Sequence, residues 1–347
     1  MIESLSCGIV IYDEVKEIQN LLPKLKIELA EYNVEWVFIL NHEQPEIRKW
    51  IASWIDTQVT SCVCVENPSN NLGFARQLLL EKSNHDYIYL TDPDVDIIPG
   101  NLKKLIQLAQ NEIMTASQSH IIGYGGTVTH RSENSFMQST FDFMSKLSQR
   151  LPFAFQIQNH AFISAVDHLP ACHLLLNKQM ALRVGGFSSA LEKCGEDLDF
   201  THRAYNAGLR FIFLPAAQVL HWQNMSLAKW FLKMFKMGRI QIPVQRMNSK
   251  QGFRFYRLLP VMGLLFFVGL SALNYMIFFG MVALLALSSL LSTGFLGFAL
   301  TSIVYSCGEL VELAWPFFEY KSEEELKQLN QNLQKQFFLA TPNNDDR

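Results

Sequence analysis

The sequence is poor in the features that mark exported, stapled or nucleic-acid-binding chains. Its six cysteines (Cys7, Cys62, Cys64, Cys172, Cys194, Cys307) are scattered, with no Cys-x-x-Cys pair and no framework spacing. That excludes a disulfide scaffold and predicts six reduced, buried thiols in a reducing compartment. No basic segment followed by an apolar one opens the chain, so no secretory signal is expected. There is no internal repeat and no low-complexity tract. A net charge of −3 over 347 residues gives no reason to expect a nucleic-acid partner. After the first apolar run stands Ile11-Tyr12-Asp13-Glu14, where a nucleotidyltransferase would need a glycine- and lysine/arginine-rich phosphate loop. Two further absences are regional. From Ser226 to Arg257 there is no acidic residue among eight basic ones (Lys229, Lys233, Lys236, Arg239, Arg246, Lys250, Arg254, Arg257). From Leu258 to Gly308 there is no charge at all.

What is present alternates between two periodicities. Ser6–Tyr12, Trp36–Leu40 and Cys62–Val65 read as buried strands. Between them, Val15, Ile18, Leu22, Leu25 and Leu29, then Ile47, Trp50, Ile51, Trp54 and Ile55, recur at helical spacing, the second helix opening at Pro45. Pro23 interrupts the first stripe. A third helix runs from Asn70-Asn71-Leu72-Gly73 to about Lys82, and a fourth covers Asn101–Asn111. The alternation predicts an α/β fold with a mostly parallel, Rossmann-like sheet covered on both faces. Gly123-Tyr124-Gly125-Gly126 punctuates another strand, while Ser132–Leu169 shows no dependable period. Ala171–Leu176 is again a strand, Gly185-Gly186-Phe187 a turn, and Gly195-Glu196-Asp197-Leu198-Asp199 the start of a helix closed by Gly208, with Asp199 and Arg203 spaced to pair. Leu209–Leu214 is a strand stopped by Pro215, and Val219-Leu220-His221-Trp222 follows.

The chemistry concentrates at Tyr87-Ile88-Tyr89-Leu90-Thr91-Asp92-Pro93-Asp94-Val95-Asp96, a buried strand ending in three alternate carboxylates. Carboxylates this close repel unless a cation or donors neutralise them. An EF-hand loop would need glycine and glutamate where Ile97 and Lys103 stand. What remains is an Asp-x-Asp element, Asp92 and Asp94, holding a hard divalent cation against a phosphate-bearing substrate.

Taken in order, Asn71-Leu72-Gly73-Phe74-Ala75, Asp92-Pro93-Asp94, Gly185-Gly186-Phe187 with Glu196-Asp197-Leu198-Asp199, and Pro215 with His221 resemble the family 2 glycosyltransferases over roughly Ser6–Arg239. These are inverting enzymes with a nucleotide-sugar-binding α/β domain of the GT-A type. The resemblance implies Mg2+ or Mn2+ on Asp94 and Asp92 with His221 as a further ligand, a general base at Asp197 with Glu196 second, and donor contacts from Asp92, Asn71, Gly73, Asn41 and Asp13. The family's usual second-strand carboxylate is replaced here by Leu40-Asn41, followed by His42-Glu43. The implied partners are a nucleotide-sugar donor and a glycan or polyprenyl-linked acceptor, as in members that build cell-envelope polysaccharide.

Apolar positions 227, 230, 231, 234 and 235 lie opposite Lys229, Lys233 and Lys236, predicting a basic amphipathic helix in a membrane interface that meets anionic lipids. A spanning helix needs about 20 apolar residues, so Leu258–Gly308 fits a two-helix hairpin. The expected organisation is a catalytic domain over 1–225, an interfacial segment over 226–257, a transmembrane region over 258–308 and a charged tail over 309–347. Basic residues before the first span place the catalytic domain on the cytoplasmic side of the inner membrane. A competing expectation is an inactive relative kept as a membrane-bound binding or assembly subunit; retention of Asp92, Asp94 and Asp197 together argues against it. The sequence leaves oligomeric state, sugar and linkage open.

Overall fold

The computed structural model describes residues 2–41, 45–58, 61–115, 120–150, 163–191, 193–247, 258–273, 293–314, 328 and 331–332. The chain divides into two compact units, one built from Met1–Thr129 and His160–His221, the other from His130–Asn159 and Trp222–Tyr320.

The first unit is a sheet with helices on both faces. Strands β1 (Ser4–Ile11), β2 (Asn33–Leu40), β3 (Cys62–Glu66) and β4 (Tyr87–Thr91) alternate with helices α1 (Val15–Glu28), α2 (Pro45–Gln58) and α3 (Leu72–Lys82). These four strands pair in parallel. Then follow β5 (Val95–Ile97), α4 (Asn101–Thr115), β6 (Ile121–Arg131), α5 (Ser135–Arg150), β7 (Ser164–Val166), β8 (His173–Asn177), α6 (Lys178–Arg183), α7 (Glu196–Asn206) and β9 (Arg210–Trp222). The strand order is β3-β2-β1-β4-β8-β6-β9-β5, with β7 beside β9. The pairs β4–β8, β6–β8, β5–β9 and β7–β9 are antiparallel. The sheet is therefore mixed rather than mostly parallel. The parallel half follows the βαβ rule; the rest is joined by connections that need no right-handed crossover.

Strand alternation divides the core in two. Leu5, Cys7, Ile9, Ile11, Trp36, Phe38 and Leu40 point to one face and pack with Ile18, Leu22 and Leu25 of α1, Ile51 and Trp54 of α2, and Leu105 of α4. Val10, Val37, Ile39, Ile88 and Leu90 point to the other, against Phe74 and Leu78 of α3 and Phe200 of α7. Pro23 sits inside α1 without ending it. None of the six cysteines forms a disulfide, but only Cys7 and Cys172 are buried: Cys62, Cys194 and Cys307 are half-buried, and Cys64, on the edge strand β3, is exposed. Pro215 does not stop a strand either: β9 runs through it to Trp222.

The second unit is helical. Helices α5, α8 (Leu227–Met247), α9 (Leu259–Leu273) and α10 (Thr293–Ala314) pack together, α10 touching the other three. Met137, Phe141, Trp230 and Met234 form its core. The apolar stripe of α8 is thus largely covered by neighbouring helices. Gly238 and Gly308 let α8 and α10 approach closely: a Cβ on Gly238 would stand 1.9 Å from the Tyr305 carbonyl oxygen, and one on Gly308 2.1 Å from that of Phe235. α10 is long and apolar enough to cross a membrane. The middle of the expected hairpin, 274–292, lies outside the described residues, as does nearly all of the tail.

Candidate functional site

Asp92 and Asp94 leave the end of β4 on a tight turn in which the Val95 amide donates to the Asp92 carbonyl at 3.2 Å. β5 then pairs with β9 in the register Val95↔His221. That register, set by continuing β9 past Pro215, brings His221 beside the turn: its Nε2 lies 3.0 Å from Asp94 Oδ2. One donor atom from each of Asp92, Asp94 and His221 falls within 4.8 Å of the others. Two carboxylate oxygens and an imidazole nitrogen form a donor set that fits Mn2+ or Mg2+. Asp96, the third alternate carboxylate, is not part of the group; it is ion-paired with Lys24 of α1.

Burial opposes a charge on the His221 ring, but Cys172 and Asp94 beside it outweigh burial and push its pKa up to about 10. Cys172 hydrogen-bonds the same ring and is itself buried, which pushes its thiol up.

Arg76, on α3, completes the site. Its Nη2 donates to Asp92 Oδ1 and Oδ2 at 3.0 and 3.3 Å, and its Nη1 is ion-paired with Glu196 at the start of α7. Arg76 is 5% exposed and Glu196 1%. Burial pushes the Glu196 carboxyl up to about 7, although Arg76 pulls it down. Asp197 is only half-buried; the Leu198 amide donates to Oδ1 at 2.8 Å and the Ala171 amide to Oδ2 at 3.5 Å. Gly195, at φ +87°, supplies the left-handed residue that starts this helix.

The Gly185-Gly186-Phe187 turn holds α7 in place. Arg203 is paired with Asp199 at 2.8 Å, as its spacing predicts, and donates to the carbonyls of Val184 and Gly186, each at 2.6 Å. Gln77 Oε1 of α3 accepts from the Phe187 amide at 2.9 Å.

Other expected donor contacts are engaged elsewhere. Asn71 caps α3, its Oδ1 accepting from the Phe74 amide at 2.9 Å while its Nδ2 donates to the Ser189 carbonyl at 2.7 Å. A Cβ on Gly73 would stand 2.0 Å from the Ser188 carbonyl oxygen and 3.4 Å from Glu196 Cβ. The bare backbone at Gly73 is therefore filled by the protein's own loop, leaving no gap for a ligand there. Asn41 is buried at the end of β2, its Oδ1 accepting from Asn67 Nδ2 at 2.6 Å. Asp13 is exposed at the end of β1, where its amide donates to Glu14 at 3.1 Å. His42 and Glu43 lie outside the described residues. Sequence reasoning missed Arg76, Cys172 and Glu14, which lies close enough to Asp94 for their charges to interact. An arginine flanked by the apolar residues Leu72–Ala75 and Leu78–Leu80 was the one available signal.

In open α/β sheets ligands bind beyond the carboxyl ends of the strands, which is where Asp92, Asp94 and His221 gather beside the buried Arg76. Residues 6–177 match the model of the family described as "Glycosyl transferase family 2". The chain carries a family 2 glycosyltransferase domain of the GT-A type, and the protein is a glycosyltransferase. Among solved structures it is similar to the mannosyltransferase PcManGT from Pyrobaculum calidifontis, determined with GDP-Man and Mn2+, at 12% identity and a TM-score of 0.65 over 90% of this chain and 87% of that one. That likeness extends the shared fold past the family match. Partial overlaps occur with GalNAc-T7, solved with UDP, GalNAc and Mn2+ (13% identity, TM-score 0.45, 65% of this chain and 45% of that one), and with S. aureus TarS (15%, 0.47, 75% and 43%). No curated protein sequence matches.

Proposed function

We propose that the protein is a metal-dependent, inverting glycosyltransferase, anchored at the cytoplasmic face of the inner membrane, that moves a sugar from a nucleoside diphosphate to a glycan or polyprenyl-linked acceptor. The observation that carries this reading is the convergence of Asp92, Asp94 and His221 into one O,O,N donor set. Those three residues would hold Mn2+ or Mg2+, the ion stabilising the charge that the departing diphosphate gains. The PcManGT structure holds the same class of donor and ion.

Asp197 is the base. Glu196 is buried against Arg76 and closed to an acceptor, whereas Asp197 is half-buried with its carboxylate oriented by two backbone amides. The acceptor oxygen attacks the anomeric carbon as the bond to the diphosphate breaks, and the hydroxyl proton passes to Asp197. One displacement inverts the configuration and requires no covalent intermediate. Arg76 balances the crowded carboxylates throughout.

Membrane anchoring is supported by α10 and by the α9 side chains Leu259, Met262, Leu265 and Phe266, all more than half exposed to the surroundings. We assign 226–257 to the interface, with anionic lipids met by its lysines, and 258–308 to the hairpin. The test is a donor panel: full-length protein in detergent, Mn2+ or Mg2+ and each common nucleotide sugar, scored for nucleoside diphosphate release. Release from one donor that disappears in Asp94→Ala is expected. Equal release from the wild type and Asp94→Ala would refute the reading.

A further inference from the structure

Arg76 joins two groups with different tasks. One guanidinium, almost wholly buried, is shared between Asp92 at the end of β4 and Glu196 at the start of α7, residues 120 positions from Arg76 in the latter case. Asp92 belongs to the donor set for the cation, while Glu196 does not. A fixed positive charge beside a metal ligand competes with the metal for the same oxygens, and does so less when a second anion shares it. The planar fork suits such bridging, since one nitrogen faces each carboxylate.

We propose that Arg76 is a positioning residue and Glu196 its counter-anion, the pair setting how strongly Asp92 binds the divalent cation and linking that ligand to the helix that presents Asp197. The proposal rests on the metal reading above and goes beyond it in assigning Glu196 neither to the acceptor nor to the cation. With Glu196 present the guanidinium is shared, Nη1 going to Glu196 and only Nη2 to Asp92. Without it, Arg76 settles on Asp92 alone. A further consequence follows for α7: cation binding at Asp92 shifts Arg76 toward Glu196 and tightens the start of the helix carrying the base. A donor complex would then orient the base before an acceptor arrives.

The experiment titrates Mn2+ alone into full-length, donor-free protein at a pH above the value of about 7 to which burial pushes the Glu196 carboxyl, so that it is ionised, and follows the free Mn2+ signal by electron paramagnetic resonance. Glu196→Gln is expected to weaken Mn2+ binding by roughly three- to tenfold, the scale of a short-range coupling between neighbouring sites. Arg76→Gln combined with Glu196→Gln should recover that loss, because no guanidinium remains to occupy Asp92. Glu196→Asp, which keeps the charge, should bind Mn2+ within about twofold of the wild type, a small change on the scale of coupled neighbours. A buried arginine is hazardous to remove; if the double variant does not fold, the Gln and Asp variants at Glu196 still decide. An unchanged constant in Glu196→Gln, alongside loss of binding in Asp94→Ala, overturns the coupling and leaves the metal site standing. Equal binding by the wild type and Asp94→Ala overturns the metal reading, and this proposal with it. A purely structural role for the pair would lower the melting temperature of Glu196→Gln without moving the Mn2+ constant, and that result also refutes it.

Discussion

Glu196→Gln isolates a buried carboxyl whose protonation the fold controls. Burial raises its pKa from 4.5 to about 7, against the pull of Arg76. That is a gap of roughly 2.5 pH units, equivalent to about 3 kcal/mol. Between pH 4.5 and 7 the folded chain keeps a proton that the unfolded chain has released. Stability from this group is therefore complete below pH 4.5, declines as pH rises through the window, and is gone above 7. The Gln variant is neutral throughout and lacks the decline. Thermal midpoints of metal-free wild type and variant, measured from pH 4 to 9, should show the wild type losing ground by roughly 6–12 °C, at 2–4 °C per kcal/mol for a domain of this size. A difference that stays flat would mean that the Arg76 ion pair cancels burial. A difference that grows in favour of the wild type would mean the pair outweighs burial and Glu196 is a permanent anion.

Asp197→Asn should retain donor binding by calorimetry yet lose transfer by roughly two to four orders of magnitude, the scale for a positioned base, with Glu196→Gln costing less; a reversed order makes Glu196 the base. Asp94→Ala should abolish metal-dependent donor binding in the same calorimeter, and unchanged binding would remove Asp94 from the ligand set. Gly73→Ala places a methyl 2.0 Å from the Ser188 carbonyl oxygen, a backbone atom that must give way. An overpacking cost of about 1–3 kcal/mol should appear as a lower melting temperature, and an unchanged one would contradict the close contact. In the helical unit, Arg239 donates to Glu312 Oε2 through Nε and Nη2 at 3.0 and 2.9 Å, with Glu312 almost wholly buried. Glu312→Met should destabilise by about 3 kcal/mol, while Arg239→Met with Glu312→Met costs less; if the double variant melts no higher than the single, the pair is not what stabilises that helix crossing.

The parallel half of the sheet was legible because its information is local. Each strand from β1 to β4 is a short apolar run, and α1 and α2 between them each show an apolar stripe at helical spacing. The Asp-x-Asp turn was visible for the same reason. α5 was not. Its Met137 and Phe141 pack with Trp230 and Met234 of α8 and Val304 of α10, and its only local signal is Asn134, whose Oδ1 accepts from the amides of Phe136 and Met137, both at 3.1 Å. Its close neighbours Gly294 and Gly297, against Ser139 and Thr140, come from more than a hundred residues away. No window on the sequence contains both partners.

β9 shows how one misread proline bears on the site. A proline has no N–H to give a ladder, so Pro215 reads as a strand end. A missing donor is a cost only where a donor is needed. The Pro215 carbonyl still accepts from the Thr127 hydroxyl at 3.1 Å, and the strand goes on to Trp222. Ending β9 at Leu214 leaves His221 in a loop, where nothing fixes its ring. Continuing β9 puts His221 opposite Val95 by register, one residue beyond Asp94 in the facing strand. The imidazole is then held by backbone pairing on one side and by Asp94 on the other. A ligand placed by a ladder is more rigid than one placed by a loop. The residue hardest to justify from sequence is thus, in the folded chain, one of the best fixed.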